Sequence, residues 1–315
     1  MAVNIKKLSE TPERLVGGHR LCGGCGASIA VRQIMLGAGP DTEVVVCGVT
    51  GCLEVSTTAL PYTSWETSYI HNAFENGAAT ISGVEAAFKA LKATGQINKD
   101  KEMKFIVFAG DGGTYDIGLQ SLSGALERGH DFVYVCYDNG AYMNTGIQRS
   151  SATPLHSWAT TSEIGAAIPG KPQRRKDLTS IVAAHHVPYV AQASVGNWKD
   201  LVEKAQKAFD TPGPAFLNVF APCPRGWRHG GDATITISKL AFRTKFWPLF
   251  EVENDVWTMK EVREKDLLPV EEFLKTQGRF SHVFKPGNEH LIEQMQAEVD
   301  EQYAHVLKMC KASVL

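Results

Sequence analysis

Residues 105–118 read Phe-Ile-Val-Phe-Ala-Gly-Asp-Gly-Gly-Thr-Tyr-Asp-Ile-Gly. An apolar run, Phe105 to Phe108, leads in, and an amphipathic run carrying Leu119, Leu122, Ala125 and Leu126 leads out. The pattern predicts a strand, a glycine-rich turn and a helix. A carboxylate, Asp111, stands among Gly110, Gly112, Gly113 and Gly118, where bare backbone can come close to a ligand. A second strand, expected over 132–137, ends in Asp138-Asn139. Polar groups at the ends of two buried strands can converge on one cation.

Outward from this unit, strands are expected at 42–47, 187–191 and 214–220, and helices at 28–36, 76–93, 178–185 and 198–209. The alternation over 42–220 predicts an α/β fold with a mostly parallel sheet and helices on both faces. Residues 61–76 read as an irregular loop. The long polar stretch 140–154 is expected to be functional, as loops of that length usually are. Residues 165–176 read as a surface loop, with the basic run from Lys171 to Lys176 solvated. Beyond about residue 238 the pattern loses its period until an amphipathic helix over 289–309, with a short helix near 269–274 before it. The expected division is an α/β domain over 1–237 and an irregular, helical extension over 238–315, packing on the domain or on a partner.

The chain has 315 residues, 43% hydrophobic and 21% charged, enough for a large core. A net charge of -2 gives no case for nucleic acid. No apolar run reaches the roughly 18 residues needed to span a bilayer, and the first residues lack the apolar centre of a signal peptide. A cytoplasmic protein is expected. Seven cysteines are many for that compartment, where clustered thiols point to metal or redox chemistry.

Cys22-Gly-Gly-Cys25 places two thiols within reach of one centre, and Cys52 and Cys223 fall beyond strand ends, where ligands gather in open α/β sheets. Cys47 and Cys136 fall inside strands and Cys310 in the last helix. Four thiolates suit an iron–sulfur cluster or structural zinc, and two buried thiols beside a tight turn are the plainer reading of the first pair. Asp111 and Asn139 are oxygen donors of the kind Mg²⁺ accepts, and the amides of the turn suit a diphosphate; an exposed turn is the plainer alternative.

Gly110-Asp111-Gly112 followed by Asp138-Asn139 resembles the thiamine diphosphate motif. The wider text, GDGGTYDIG, YDN and AYMNTGIQRSSATP, resembles the β subunit of 2-oxoacid:ferredoxin oxidoreductases, especially the pyruvate synthase type. HRLCGGCGA, TGC at 50–52, APCPRGW at 221–227 and PVEEFLKTQGRF at 269–280 extend the likeness over most of the chain. The resemblance implies thiamine diphosphate, Mg²⁺ and a 4Fe–4S cluster. Asp111, the Asn139 side chain and the Ala141 carbonyl would hold Mg²⁺. Cys22, Cys25, Cys52 and Cys223 would hold the cluster. Gly110, Gly112, Gly113, Asp116, Thr145 and Cys52 would shape the cofactor pocket, and Asn144 would face the reacting carbon. It further implies oxidative decarboxylation of a small 2-oxoacid, pyruvate with coenzyme A, and electron transfer one at a time to ferredoxin. The glutamate that activates the cofactor would come from a partner subunit, as would further clusters; Glu66 and Glu75 are expected at the surface.

Two departures stand near the expected site. His156 and Trp158 replace a glycine-alanine-tryptophan run, and Gly140 stands where the pattern has glutamate. They raise oxalate, split without coenzyme A, as a rival substrate, although His156 read alone packs on the loop surface. A non-redox thiamine diphosphate enzyme has no use for the thiols, and a zinc protein has none for the Gly-Asp-Gly turn.

Overall fold

The computed structural model describes residues 3–165 and 167–313. One eight-stranded sheet runs through it, in the order β2-β1-β3-β4-β6-β5-β7-β8. The strands are β1 (Val44–Val49), β2 (Ser68–Asn72), β3 (Lys104–Gly110), β4 (Val133–Asp138), β5 (Tyr189–Ser194), β6 (Ala215–Phe220), β7 (Leu249–Glu253) and β8 (Val256–Lys260). β1 to β6 are mutually parallel, and β7 and β8 are antiparallel additions at one edge. Every residue of β1, β4, β5 and β6 is buried, as expected of strands covered on both faces.

Two cores follow from the pleat. In β4, Val133, Val135 and Tyr137 join one core, which includes residues of the helices Gly26–Gly37 and Trp198–Asp210. Tyr134 and Cys136, pointing the other way, join a second core with residues of the helices Gly77–Ala93 and Leu119–Glu127. A third cluster, with Trp227, Trp247, Phe273 and Leu291, gathers the last part of the chain. The α/β architecture is as expected, and the helix Glu289–Ala312 ends the described chain. Among the described residues no helix is long and apolar enough to cross a membrane.

Several expectations need correction. Residues 61–76 are not all loop, because β2 lies within them at the sheet edge. The extension contributes β7 and β8 to the main sheet, and residue 238 falls inside the helix Thr234–Arg243. The short helix near 269–274 spans Glu271–Leu274, leaving Pro269 outside it. The basic run is not a solvated loop. Lys171 is buried, and its ammonium donates to the carbonyls of Thr153 at 2.6 Å and Arg174 at 3.1 Å. Arg175 pairs with buried Asp138, and Lys176 donates to the Tyr115 carbonyl. His156 is also buried, with Nε2 2.9 Å from Gln294 of the terminal helix.

The order places the C-terminal ends of β1, β3, β4 and β6 side by side. Gly48 lies opposite Phe108, Gly110 opposite Tyr137, and Asp138 opposite Phe220. Four consecutive strand ends therefore present Cys52, Asp111, Asn139 and Cys223 along one sheet edge.

Candidate active site

Asp111 is wholly buried. Its Oδ1 accepts from the Asn139 amide at 3.3 Å, and its Oδ2 accepts from the Ser150 hydroxyl. Burial first, and the neighbouring Asp138 carboxylate second, push the Asp111 carboxyl well above the usual range. Asp138 is itself occupied: Arg175 pairs with it, and it accepts from the Gly140 amide at 3.0 Å. Asp111 is thus the carboxylate short of a counter-charge.

One atom of the Asn139 side-chain amide lies 2.9 Å from Asp111 Oδ1 and 2.9 Å from the Ala141 carbonyl oxygen. With its nitrogen in that place the amide donates to both. With its oxygen there, three oxygens converge without a proton between them. A bound cation would stabilise that second arrangement, and carboxylate, amide and carbonyl oxygens are the donors Mg²⁺ accepts. The residues expected for a metal–diphosphate site are therefore assembled, and they fit.

The turn after Asp111 differs from the simple helix start read from the sequence. Gly112–Asp116 forms a π-helical turn before Leu119–Glu127 begins, a form that recurs at functional sites. The Tyr142 ring packs on it so tightly that a side chain at Gly112 would lie 2.3 Å from the ring, and the Tyr142 hydroxyl donates to the Gly112 carbonyl at 3.0 Å.

A cleft opens beside this corner. Gly110, Gly112, Gly113, Asn139, Ala141, Asn144, Thr145 and Cys52, all expected at the site, line it. Phe74, Tyr137, Tyr142 and Met143 line it as well and were missed; nothing in their local sequence separates them from core aromatics. Asp116 is absent from that wall. Its carboxylate accepts from the Ser151 amide at 3.1 Å and lies 3.8 Å from Lys176, so it fixes the loop rather than facing the cleft. Ser150 was also missed, because only the fold brings it to Asp111.

The cysteines come from three turns. Cys25 caps the helix Gly26–Gly37, Cys52 opens the helix Cys52–Thr57, and Cys223 caps the helix Pro224–Trp227, where its sulfur accepts from the Gly226 amide at 3.3 Å. The Gly26 amide donates to the Pro222 carbonyl at 3.0 Å, joining the first and third turns. A side chain at Gly26 would strike the Ala221 backbone at 2.5 Å, so the approach requires glycine. Burial pushes the Cys52 thiol up to about 12, with Cys223, Cys25 and Cys22 adding to the effect. Burial likewise pushes Cys223 up to about 11, reinforced by Cys25 and Cys22.

The four thiols therefore share one neighbourhood. Yet no group of three or more His, Cys, Asp or Glu among the described residues is close enough to hold a single metal ion. Four thiols on three adjoining turns are the donor set that an iron–sulfur cluster takes. Cys47 and Cys136 are buried in β1 and β4, and Cys310 lies in the terminal helix, as expected.

Residues 49–219 match the family model described as "Thiamine pyrophosphate enzyme, C-terminal TPP binding domain". The chain is 51% identical to pyruvate synthase subunit PorB of Thermotoga maritima, over 98% of this chain and 97% of that one. The chain belongs to the thiamine diphosphate-binding β subunits of the 2-oxoacid:ferredoxin oxidoreductases. Ketoisovalerate oxidoreductase subunit VorB of Pyrococcus furiosus is 42% identical, over 98% of this chain and 97% of that one. A solved 2-oxoglutarate:ferredoxin oxidoreductase from Magnetococcus marinus, 21% identical, shares the fold with a TM-score of 0.55, covering 74% of this chain and 80% of that one. This family member is a thiamine diphosphate-dependent oxidoreductase subunit and works within a multi-subunit complex.

Proposed function

We propose that this subunit serves a cytoplasmic pyruvate synthase, in which pyruvate and coenzyme A give acetyl-coenzyme A and carbon dioxide while ferredoxin takes up two electrons in separate steps. The observation that carries the reading is one cleft lined by Asn139, the Gly110 turn and Cys52 together. It puts a diphosphate anchor and a thiol ligand on the same wall.

Bound thiamine diphosphate supplies a nucleophilic ring carbon and an electron sink for loss of carbon dioxide. Asp111, Asn139 and the Ala141 carbonyl would hold its Mg²⁺. The π-turn at Gly112–Asp116 would take the diphosphate. Asn144 and Thr145 border the reacting end. Cys22, Cys25, Cys52 and Cys223 would hold a 4Fe–4S cluster, which would supply a one-electron acceptor.

Pyruvate is favoured over oxalate. The departures that suggested oxalate do not reach the cleft. His156 is absent from its wall and is tied to Gln294. Gly140 has φ +73°, and a side chain there would lie 3.0 Å from Arg279 Nη1, away from the cleft wall. Greater identity to the pyruvate synthase subunits than to the ketoisovalerate subunit points the same way. Glu66 and Glu75 are exposed and stand apart from the cleft, so the activating glutamate is assigned to a partner subunit.

The test is a substrate screen on the co-purified complex, with pyruvate, ketoisovalerate and oxalate, each with and without coenzyme A. Reduction of ferredoxin by pyruvate only when coenzyme A is present supports the proposal. Preferred turnover of ketoisovalerate or oxalate overturns the substrate assignment.

A further inference from the structure

Buried tyrosine hydroxyls almost always have a hydrogen-bond partner, because an unpaired one costs about 1–3 kcal/mol. Tyr137 breaks the rule. It is 2% exposed, and its hydroxyl has no partner among the described residues. The cofactor ligands proposed above do not include it.

Its position shows what the hydroxyl faces. Tyr137 is the penultimate residue of β4, two before Asn139, and its ring lies on the sheet face that also receives Leu53 and Cys25. A side chain at Gly51 would lie 2.7 Å from Tyr137 Oη, and one at Gly110 would lie 3.6 Å from it. The hydroxyl therefore sits between the backbone just before Cys52 and the backbone just before Asp111. Tyr69 lies nearby with a hydroxyl also lacking a partner among the described residues, so it does not satisfy Tyr137.

We infer that Tyr137 Oη donates a hydrogen bond to the iron–sulfur cluster held by Cys22, Cys25, Cys52 and Cys223, on the side facing the thiamine cleft, and raises its reduction potential. The inference rests on the cluster assignment made above. The reduced cluster carries an extra negative charge, and a hydrogen bond to its sulfur stabilises that state more than the oxidised one. The bond therefore favours electron uptake at the face nearest the electron source.

The full-length chain is purified anaerobically, and its cluster is titrated against applied potential by electron paramagnetic resonance. Tyr137→Phe keeps the ring and removes the hydroxyl alone. Iron per chain stays at the wild-type level, and at a fixed potential the reduced-to-oxidised ratio falls about three- to tenfold, the scale of one hydrogen bond. A tenfold change is about 59 mV for a one-electron couple. An exchangeable proton coupled to the reduced cluster, seen by proton ENDOR in wild type, disappears. Gly51→Ala retains the hydroxyl but pushes it aside, so its potential moves the same way by less; it decides the matter if Tyr137→Phe fails to load iron. Iron-loaded variants that titrate like wild type, or a coupled proton that persists without the hydroxyl, overturn the inference. A wild-type chain that binds no iron overturns the cluster assignment itself, and the inference with it.

Discussion

At the Asp111 corner the donor groups are buried and already tied to one another; at the Cys52 corner four thiols from three turns share a neighbourhood. Asp111 is held by the Asn139 backbone amide and the Ser150 hydroxyl, with the Asn139 side-chain amide between it and the Ala141 carbonyl. The cysteines come from three turns, with Cys25, Cys52 and Cys223 at helix starts, and Cys22 is exposed. The difference matches what each corner is proposed to hold. A single Mg²⁺ needs ligands close together, which two adjacent parallel strands provide. A larger cluster needs an open bowl, and its own charge and bonds must offset the burial that pushes the thiols up.

Removing a ligand from each corner separates the two. Cys52→Ala is expected to have the largest effect. It lowers iron to below about a tenth of wild type and abolishes substrate-driven ferredoxin reduction, while thiamine diphosphate still binds. Iron retained at wild-type level breaks the assignment of Cys52. Asp111→Ala is expected to do the converse, weakening Mg²⁺–thiamine diphosphate binding by more than about a hundredfold in calorimetric titration while iron is unchanged, since even supporting residues cost about 10–100-fold.

Arg175→Met leaves Asp138 buried without its cation. It is expected to lower folding stability by about 3–5 kcal/mol, read from the urea midpoint of the chain. A near-wild-type midpoint would show that another cation compensates Asp138. Ser150→Ala removes only the hydroxyl donated to Asp111 and is expected to weaken Mg²⁺ binding about tenfold, with iron and stability little changed. A loss of iron in this variant would show that the two corners are not independent.

The same contrast explains what could be read from the chain. The Asp111 corner was legible because its strand, turn, second strand and asparagine lie within about forty residues and obey local rules. The parallel sheet followed from the apolar runs of β1, β3, β4 and β6. The cysteine set was legible as a list of turn residues, but its assembly depends on strand order, which brings β6 beside β4. β2 escaped notice because Ser68-Tyr-Ile-His-Asn sits at an edge and lacks a continuous apolar run. β7 and β8 are antiparallel edge strands joined by Asn254-Asp255, with charged residues among the aromatics. Lys171 to Lys176 looked solvated because its partners, Asp138 and the carbonyls of Thr153 and Tyr115, come from other parts of the chain. Ser150, Phe74 and Tyr137 carry no local mark of function; position alone recruits them.

The central claim is that one chain holds the thiamine anchor and an iron–sulfur cluster side by side. Metal and sulfide analysis of the anaerobically purified full-length chain tests it most directly. The prediction is about four iron and four sulfide per chain, a brown colour and no stoichiometric zinc. A colourless chain carrying one zinc and no sulfide would contradict it.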